Sequence, residues 1–531
     1  MTPVELPKTL SGIDGLDQIT LGGLPAGRTT IVSGGPGCGK TIMGLQFVCH
    51  GAENGEPGIY ITFEETRKDL QQNALTLGWD IEGLVKRGKL IVLDNPLFAQ
   101  VSETRQIDLE GLRAAISAAA KKIKASRIVL DALDILLSFT DDAQAERREV
   151  ILLQRLFQSL GMTAILTSKI YTESLFPSNG QLDFLVDCVI HMEQRVTDQI
   201  NTRRLRIQKY RGSGFGRNEY PYAIGGNGIH IIPVSTLGLR HQPLGEFISS
   251  GQTDLDTVLG GGYRRASSVL VAGVTGTGKT SLAATFAQRA CSRGERLLYI
   301  SFEESREAMI NNMRSPGIDL ESPWKAGLFR YLSGLPESMG AEEHLLRAHT
   351  AIVEFTPQHI VLDAISACRR MGSDRAAFDY LIRLLNLTKE MGITCLLLNQ
   401  TVAPVSIQEL SGVEISSIID TVLSLHMVEE TGEINRTLVC LKSRGAKHSN
   451  QYREFRITDS GIQLLPVYIG AGRVLTGTAR KIQEDKDAAG ALKLDQQIDT
   501  LTKELEKLQA AKQTLVNGQT ARFTMRGGHV T

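Results

Sequence analysis

One octapeptide pattern occurs twice in this chain, as Gly34-Gly35-Pro36-Gly37-Cys38-Gly39-Lys40-Thr41 and as Gly273-Val274-Thr275-Gly276-Thr277-Gly278-Lys279-Thr280, 239 positions apart. Each copy follows an apolar strand-like run and opens a helix-like one. Glycines in such a loop adopt backbone angles that other residues resist, so consecutive amides curl around a phosphate at a helix N-terminus. Two copies in those settings predict two nucleotide sites in tandem.

The repeat reaches well beyond the loops, as a duplication requires. A second strand ends in paired acids in each half, Tyr60-Ile61-Thr62-Phe63-Glu64-Glu65-Thr66 and Tyr299-Ile300-Ser301-Phe302-Glu303-Glu304-Ser305, and Glu64 lies 239 positions before Glu303. A later strand ends in Asp131 or Asp363. Near-continuous apolar strands alternating with helical stretches indicate parallel sheets covered on both faces. The expected fold is therefore α/β: two tandem RecA-like P-loop ATPase domains, each a mostly parallel sheet flanked by helices. The first spans 1–232, a linker 233–246, and the second domain 247–465. A tail of 466–490 follows, then a coiled-coil segment at 491–517 and a disordered end at 518–531.

At 531 residues the chain exceeds what one hydrophobic core usually organises. Acidic and basic residues balance at 58 each, so no global field draws it toward nucleic acid or an anionic membrane. Seven cysteines in apolar contexts, without a Cys-x-x-Cys pair, read as reduced core residues. With no long apolar run and no signal-like N-terminus, a cytoplasmic protein is expected.

The chemistry each site needs selects its residues. Gly37, Gly39, Gly276 and Gly278 shape the loops, Lys40 and Lys279 neutralise β- and γ-phosphate oxygens of ATP, and Thr41 and Thr280 ligate Mg²⁺. Asp131 and Asp363, at the C-terminal edges of the sheets, can hold the metal's water shell. One acid of each pair, Glu64/Glu65 and Glu303/Glu304, can serve as general base, and the residues alone do not say which. Late in each half comes Lys209-Tyr210-Arg211-Gly212 or Lys442-Ser443-Arg444-Gly445, read as an edge strand with Lys and Arg on one face. These cations are either a solvated basic edge or fingers reaching the γ-phosphate of a neighbouring subunit.

In the tail, Leu494, Ile498, Leu501, Leu505, Leu508 and Leu515 fall on alternating steps of three and four, with Lys512 at the interrupted position. That pattern suits a short coiled coil, the alternative being an amphipathic helix lying on its own domain.

The double P-loop, the two Phe-Glu-Glu-[Thr/Ser] elements and the paired Lys-x-Arg-Gly strands resemble the KaiC family of circadian-clock autokinases over about residues 8–480. The resemblance implies two-tiered hexamers with ATP between adjacent subunits. It implies a slow ATPase in the first domain with Glu64 as base, and a kinase and phosphatase in the second with Glu303 as base. The family's adjacent phosphorylation sites map onto Ser416 and Ser417, and its second-domain arginine near the phosphates onto Arg370. A KaiB-like partner follows from the same likeness. Two features depart from the family: Ser-Ser replaces Ser-Thr, and the tail is longer and ends in heptads. Pairing of two hexamers into a dodecamer through the tails would make autophosphorylation independent of KaiA.

The RecA-like core is shared with nucleic-acid motors and recombinases, the alternative class. Those need a basic channel, and the neutral charge and lack of a basic, aromatic-interleaved stretch argue against it.

Overall fold

The computed structural model describes residues 6–94, 109–138, 140, 142–169, 182–197, 200–231, 241–401, 418–430, 432–459, 461–466, 468–470 and 473–526. In the first half the strands are β1 (Thr29–Gly34), β2 (Gly58–Thr62), β3 (Leu90–Asp94), β4 (Arg127–Asp131) and β5 (Thr163–Lys169). They continue with β6 (Cys188–Thr197), β7 (Ile200–Tyr210), β8 (Glu219–Gly225) and β9 (Gly228–Ile231). The second half repeats them as β10 (Ser268–Gly273), β11 (Leu297–Ser301), β12 (Phe329–Ser333), β13 (His359–Asp363) and β14 (Thr394–Gln400). It closes with β15 (Thr421–Glu430), β16 (Glu433–Ser443), β17 (Arg453–Thr458) and β18 (Gly461–Pro466).

Both halves form a nine-stranded sheet in one order, β3-β2-β4-β5-β1-β6-β7-β8-β9 and β12-β11-β13-β14-β10-β15-β16-β17-β18. The pairings from β3 through β6 are parallel, and β6 to β9 run antiparallel, as do the matching strands of the second half. Thus the tandem RecA-like architecture expected from the repeat is present. The central strands are buried along their lengths, and helices cover both faces, leaving two apolar layers per half. All seven cysteines are free and buried.

Part of the expected linker is docked. The Gln242 amide donates to the Lys389 carbonyl at 3.0 Å, and His241 Nε2 lies 3.1 Å from Asn386 Oδ1. Among helices, α1 (Lys40–Glu53), α2 (Arg67–Leu75), α3 (Lys279–Ser292) and α4 (Arg306–Arg314) frame the two sites. Helix α5 (Ala341–Phe355), of the second half, packs on β8 of the first. Two ion pairs reinforce that contact, Arg204 to Glu342 at 2.7 Å and Arg203 to Glu343 at 3.1 Å.

The tail differs from its expected division. After the two-stranded hairpin Tyr468–Gly470 and Arg473–Leu475, α6 (Gly477–Arg526) runs for 50 residues, covering part of the 466–490 tail, the coiled-coil segment and part of the stretch read as disordered. Its start is earlier than periodicity suggested because the second sheet caps it. Glu433 of β16 accepts from the Thr478 amide at 3.1 Å, and Glu454 of β17 accepts from the Gly477 amide at 3.4 Å. The heptad residues are 52% to 70% exposed, so this face does not lie on its own domain.

Candidate functional site

In each half the P-loop joins the central strand to a helix whose N-cap is a glycine with positive φ, Gly39 at 94° and Gly278 at 94°. Neither N-cap makes a side-chain capping bond, so the first amides of α1 and α3 are left for a ligand. Gly37 and Gly276 also have positive φ, 74° and 80°. A Cβ on Gly278 would meet Phe455 Cε1 at 2.7 Å, besides being strained by its backbone. The loop lysines lie in the concavity. Lys40 Nζ donates to the Gly34 and Gly35 carbonyls at 2.8 and 2.9 Å, and Lys279 Nζ to those of Gly273 and Val274, both at 2.9 Å. Burial lowers the Lys279 ammonium from its ordinary pKa, against the charges of Asp363 and Glu303.

The strand-end aspartates meet the helix hydroxyls. Thr41 Oγ1 donates to Asp131 Oδ2 at 2.8 Å, and Thr280 Oγ1 to Asp363 Oδ2 at 3.1 Å. A residue not singled out from the sequence completes each pair, since Tyr60 donates to Asp131 Oδ2 at 2.8 Å and Tyr299 to Asp363 Oδ2 at 2.7 Å. Thr167 of β5 also donates to Asp131. Burial pushes the Asp363 carboxyl up to about 6, although hydrogen bonds from Tyr299 and Thr280 pull the other way. A hydroxyl beside a carboxylate at a sheet edge is an oxygen donor set that fits Mg²⁺, and the amide cradle with its lysine fits the phosphates of ATP.

The acid pairs sit at a strand-to-helix turn because the residue after them caps the next helix. Thr66 accepts from the Asp69 amide at 3.2 Å, and Ser305 from the Ala308 amide at 3.3 Å. The two acids then part. Glu65 and Glu304 are met by amides of α2 and α4, Asn73 Nδ2 at 3.1 Å and Asn312 Nδ2 at 3.4 Å. Glu64 instead pairs with Lys169 at the end of β5, while Glu303 is close enough to Lys279 and Asp363 to act on both electrostatically.

The basic pairs are not on edge strands. Lys209 lies on β7, between β6 and β8, and Lys442 on β16, between β15 and β17, because later hairpins extend each sheet. Lys209 registers with Val189, which registers with Ile31 near the start of β1, so it stands toward the end of the sheet opposite its own P-loop. Lys209 Nζ donates to the Asp183 and Phe184 carbonyls at 2.6 and 3.1 Å, and Arg211 to the Phe184 carbonyl at 2.7 Å, so both cations share one side. Lys442 Nζ donates to the Ile419 carbonyl at 2.6 Å, and Arg444 lies 3.7 Å from Asp420. Arg370 is half exposed and pairs with Glu337 at 3.8 Å, while Arg369 turns to Asp374 at 3.4 Å. Ser416 and Ser417 lie outside the described residues. The chain just after them is fixed: the Ile418 carbonyl accepts from Lys389 Nζ at 2.9 Å and Ser268 Oγ at 3.1 Å.

Another contact unforeseen from sequence links β16 to the second loop, where Arg436 Nε donates to the Gly276 carbonyl at 2.9 Å.

The family model described as "ATPase: KaiC" matches residues 9–236 and again 248–468, one match per half. The chain belongs to the KaiC family. It is 39% identical to the circadian clock protein KaiC2 of Synechocystis sp. over 95% of this chain and 89% of that one. It is 36% identical to the circadian clock oscillator protein KaiC of Parathermosynechococcus lividus, over 91% and 90% of the two chains. The KaiC of Synechococcus elongatus is 34% identical, over 91% and 93%. This KaiC-family chain has, among its described residues, no helix long and apolar enough to cross a membrane.

Proposed function

We propose that this protein hydrolyses ATP in its first domain and, in its second, transfers the γ-phosphate of ATP to its own serines, working as a ring of six subunits in circadian or timer-type signalling in the cytoplasm. The observation that carries this reading is the repetition of one complete set, a loop lysine, helix threonine, strand-end aspartate, tyrosine and strand-end glutamate, in both halves.

In the first domain a water oxygen attacks the γ-phosphorus as its bond to the ADP oxygen breaks, and Glu64 takes the water's proton. In the second, the attacking oxygen is the hydroxyl of Ser416 or Ser417 from the adjacent subunit, and Glu303 takes that proton. Lys40 and Lys279 hold charge on the phosphate oxygens in their cradles. Mg²⁺, held through Thr41 with Asp131 and Thr280 with Asp363, supplies further charge neutralisation. Glu65 and Glu304, engaged by asparagines, brace the turn. Return of the phosphate to ADP, followed by hydrolysis, dephosphorylates the serines.

Lys209, Arg211, Lys442 and Arg444 point away from their own loops, which supports a role across the subunit boundary, as does the exposed Arg370. The exposed heptad face of α6 supports pairing of two rings into a dodecamer, with autophosphorylation independent of KaiA. The first domain's nucleotide state then recruits a KaiB-like partner.

A mass-spectrometric time course with Mg-ATP alone tests the reading. Phosphate is expected on Ser416 or Ser417, absent in Glu303→Gln, with ADP release in the same tube. ADP release with no serine phosphate would refute the autokinase. Salt-sensitive DNA binding would instead favour a nucleic-acid motor.

A further inference from the structure

The two sites share their loop pattern, metal-site pairs and bases, yet differ at the end of the strand beside each loop. Gly34, where the first P-loop begins, registers with Lys169 at the end of β5, and Gly273 registers with Gln400 at the end of β14. Position for position, the first site has a cation where the second has a neutral amide. The Lys169 ammonium is bonded to Glu64 Oε1.

The backbone beneath that cation is also particular to the first half. Asp134, three residues after Asp131, accepts from the Lys169 amide at 2.5 Å and from the Ser168 hydroxyl at 2.9 Å. The residue three after Asp363 is Ser366, too short to reproduce both bonds with a carboxylate. Asp134, Lys169 and Glu64 thus form a chain from one strand end to the next, for which the second half offers Ser366, Gln400 and Glu303.

We propose that Lys169 is a positioning residue that restrains Glu64, so that the first site hydrolyses ATP more slowly than its loop and metal site would allow. This rests on the ATPase reading above. A general base must turn a lone pair toward the attacking water and draw its proton. A cation bonded to one carboxylate oxygen occupies that oxygen's lone pairs and holds the group to one side. Gln400 can hydrogen-bond but carries no charge, so it offers Glu303 no matching ion pair. Both partners are partly exposed, at 42% and 48%, so the restraint is modest and breakable.

Full-length protein carrying Glu303→Gln reports hydrolysis at the first site alone. In that background Lys169→Gln is expected to raise kcat about two- to fivefold, the range an exposed ion pair supplies, with KM for ATP unchanged. Lys169→Arg should keep the parent rate. The device should also transplant: Ser366→Asp with Gln400→Lys, in a Glu64→Gln background, should slow ADP release from the second site by a similar factor. An unchanged or lower kcat for Lys169→Gln, a shift in KM alone, or an arginine variant that behaves like glutamine would overturn the restraint. Absence of any ADP release from the Glu303→Gln parent would instead refute the first-site ATPase, and the restraint with it.

Discussion

Replacing Asp363 by Asn should make the nucleotide-free second domain more stable at neutral and alkaline pH while stopping its metal-dependent chemistry. Burial holds this carboxyl at about 6, against an ordinary aspartate value of 3.8. The folded chain therefore keeps a proton that the unfolded chain has lost between those two values. Stability falls as pH rises through that window and stays lower above it. At about 1.4 kcal/mol per pH unit, the gap amounts to about 3 kcal/mol. Asparagine has no charge to desolvate, and its oxygen in the place of Oδ2 can still accept from both Tyr299 and Thr280. Part of the gain is lost because an amide oxygen accepts more weakly than a carboxylate, leaving a net stabilisation of about 1–3 kcal/mol at pH 8. The chain contains two tryptophans, Trp79 in the first half and Trp324 in the second. In a Trp79→Phe background, with EDTA and no nucleotide, urea unfolding followed by Trp324 fluorescence reads the second half. The difference between parent and variant should be large at pH 8 and nearly vanish at pH 4. A variant less stable than the parent at pH 8, or a difference independent of pH, would refute the reasoning.

Arg204→Met removes the guanidinium 2.7 Å from Glu342, whose side chain is 6% exposed. The stranded carboxylate should cost about 2 kcal/mol, less than a fully buried pair because Arg204 is itself partly exposed. Separate melting of the Trp79 and Trp324 signals is the expected sign that the halves have uncoupled. Truncation after Gln483 should halve the particle mass seen by mass photometry and change the phosphorylated fraction. Single hexamers of the intact protein at micromolar concentration would exclude ring pairing through α6.

What could be read from the chain alone was chiefly what is local. A P-loop, a strand-ending acid and a capping Thr66 or Ser305 are each specified within a few residues, and the 239-residue offset tied the two copies together. Tyr60 and Lys169 escaped notice because their partners come from other strands. Asp131 meets Tyr60 through the pairing of β4 with β2, and Glu64 meets Lys169 only once β5 has been inserted between β4 and β1. The matching Tyr60 and Tyr299 were visible as part of the repeat, but apolar strands contain tyrosines for packing alone. Lys209 and Lys442 were assigned to sheet edges because nothing near them announces that the next two strands fold back alongside. Where the tail helix begins is hidden for a similar reason: its heptads start near Leu494, whereas its first turn is set by Glu433 and Glu454, which belong to strands of the second sheet.

That seating of α6 has a mechanical consequence. At 1.5 Å per residue, 50 residues make a rod about 75 Å long. Fixed at one end by two carboxylates, it is a cantilever rather than a tether, so whatever is held at its tip is confined to an arc instead of a sphere. The support is β16, which three residues beyond Glu433 also grips the Gly276 carbonyl through Arg436. A load that bends the rod bears on the same strand that steadies the second phosphate loop.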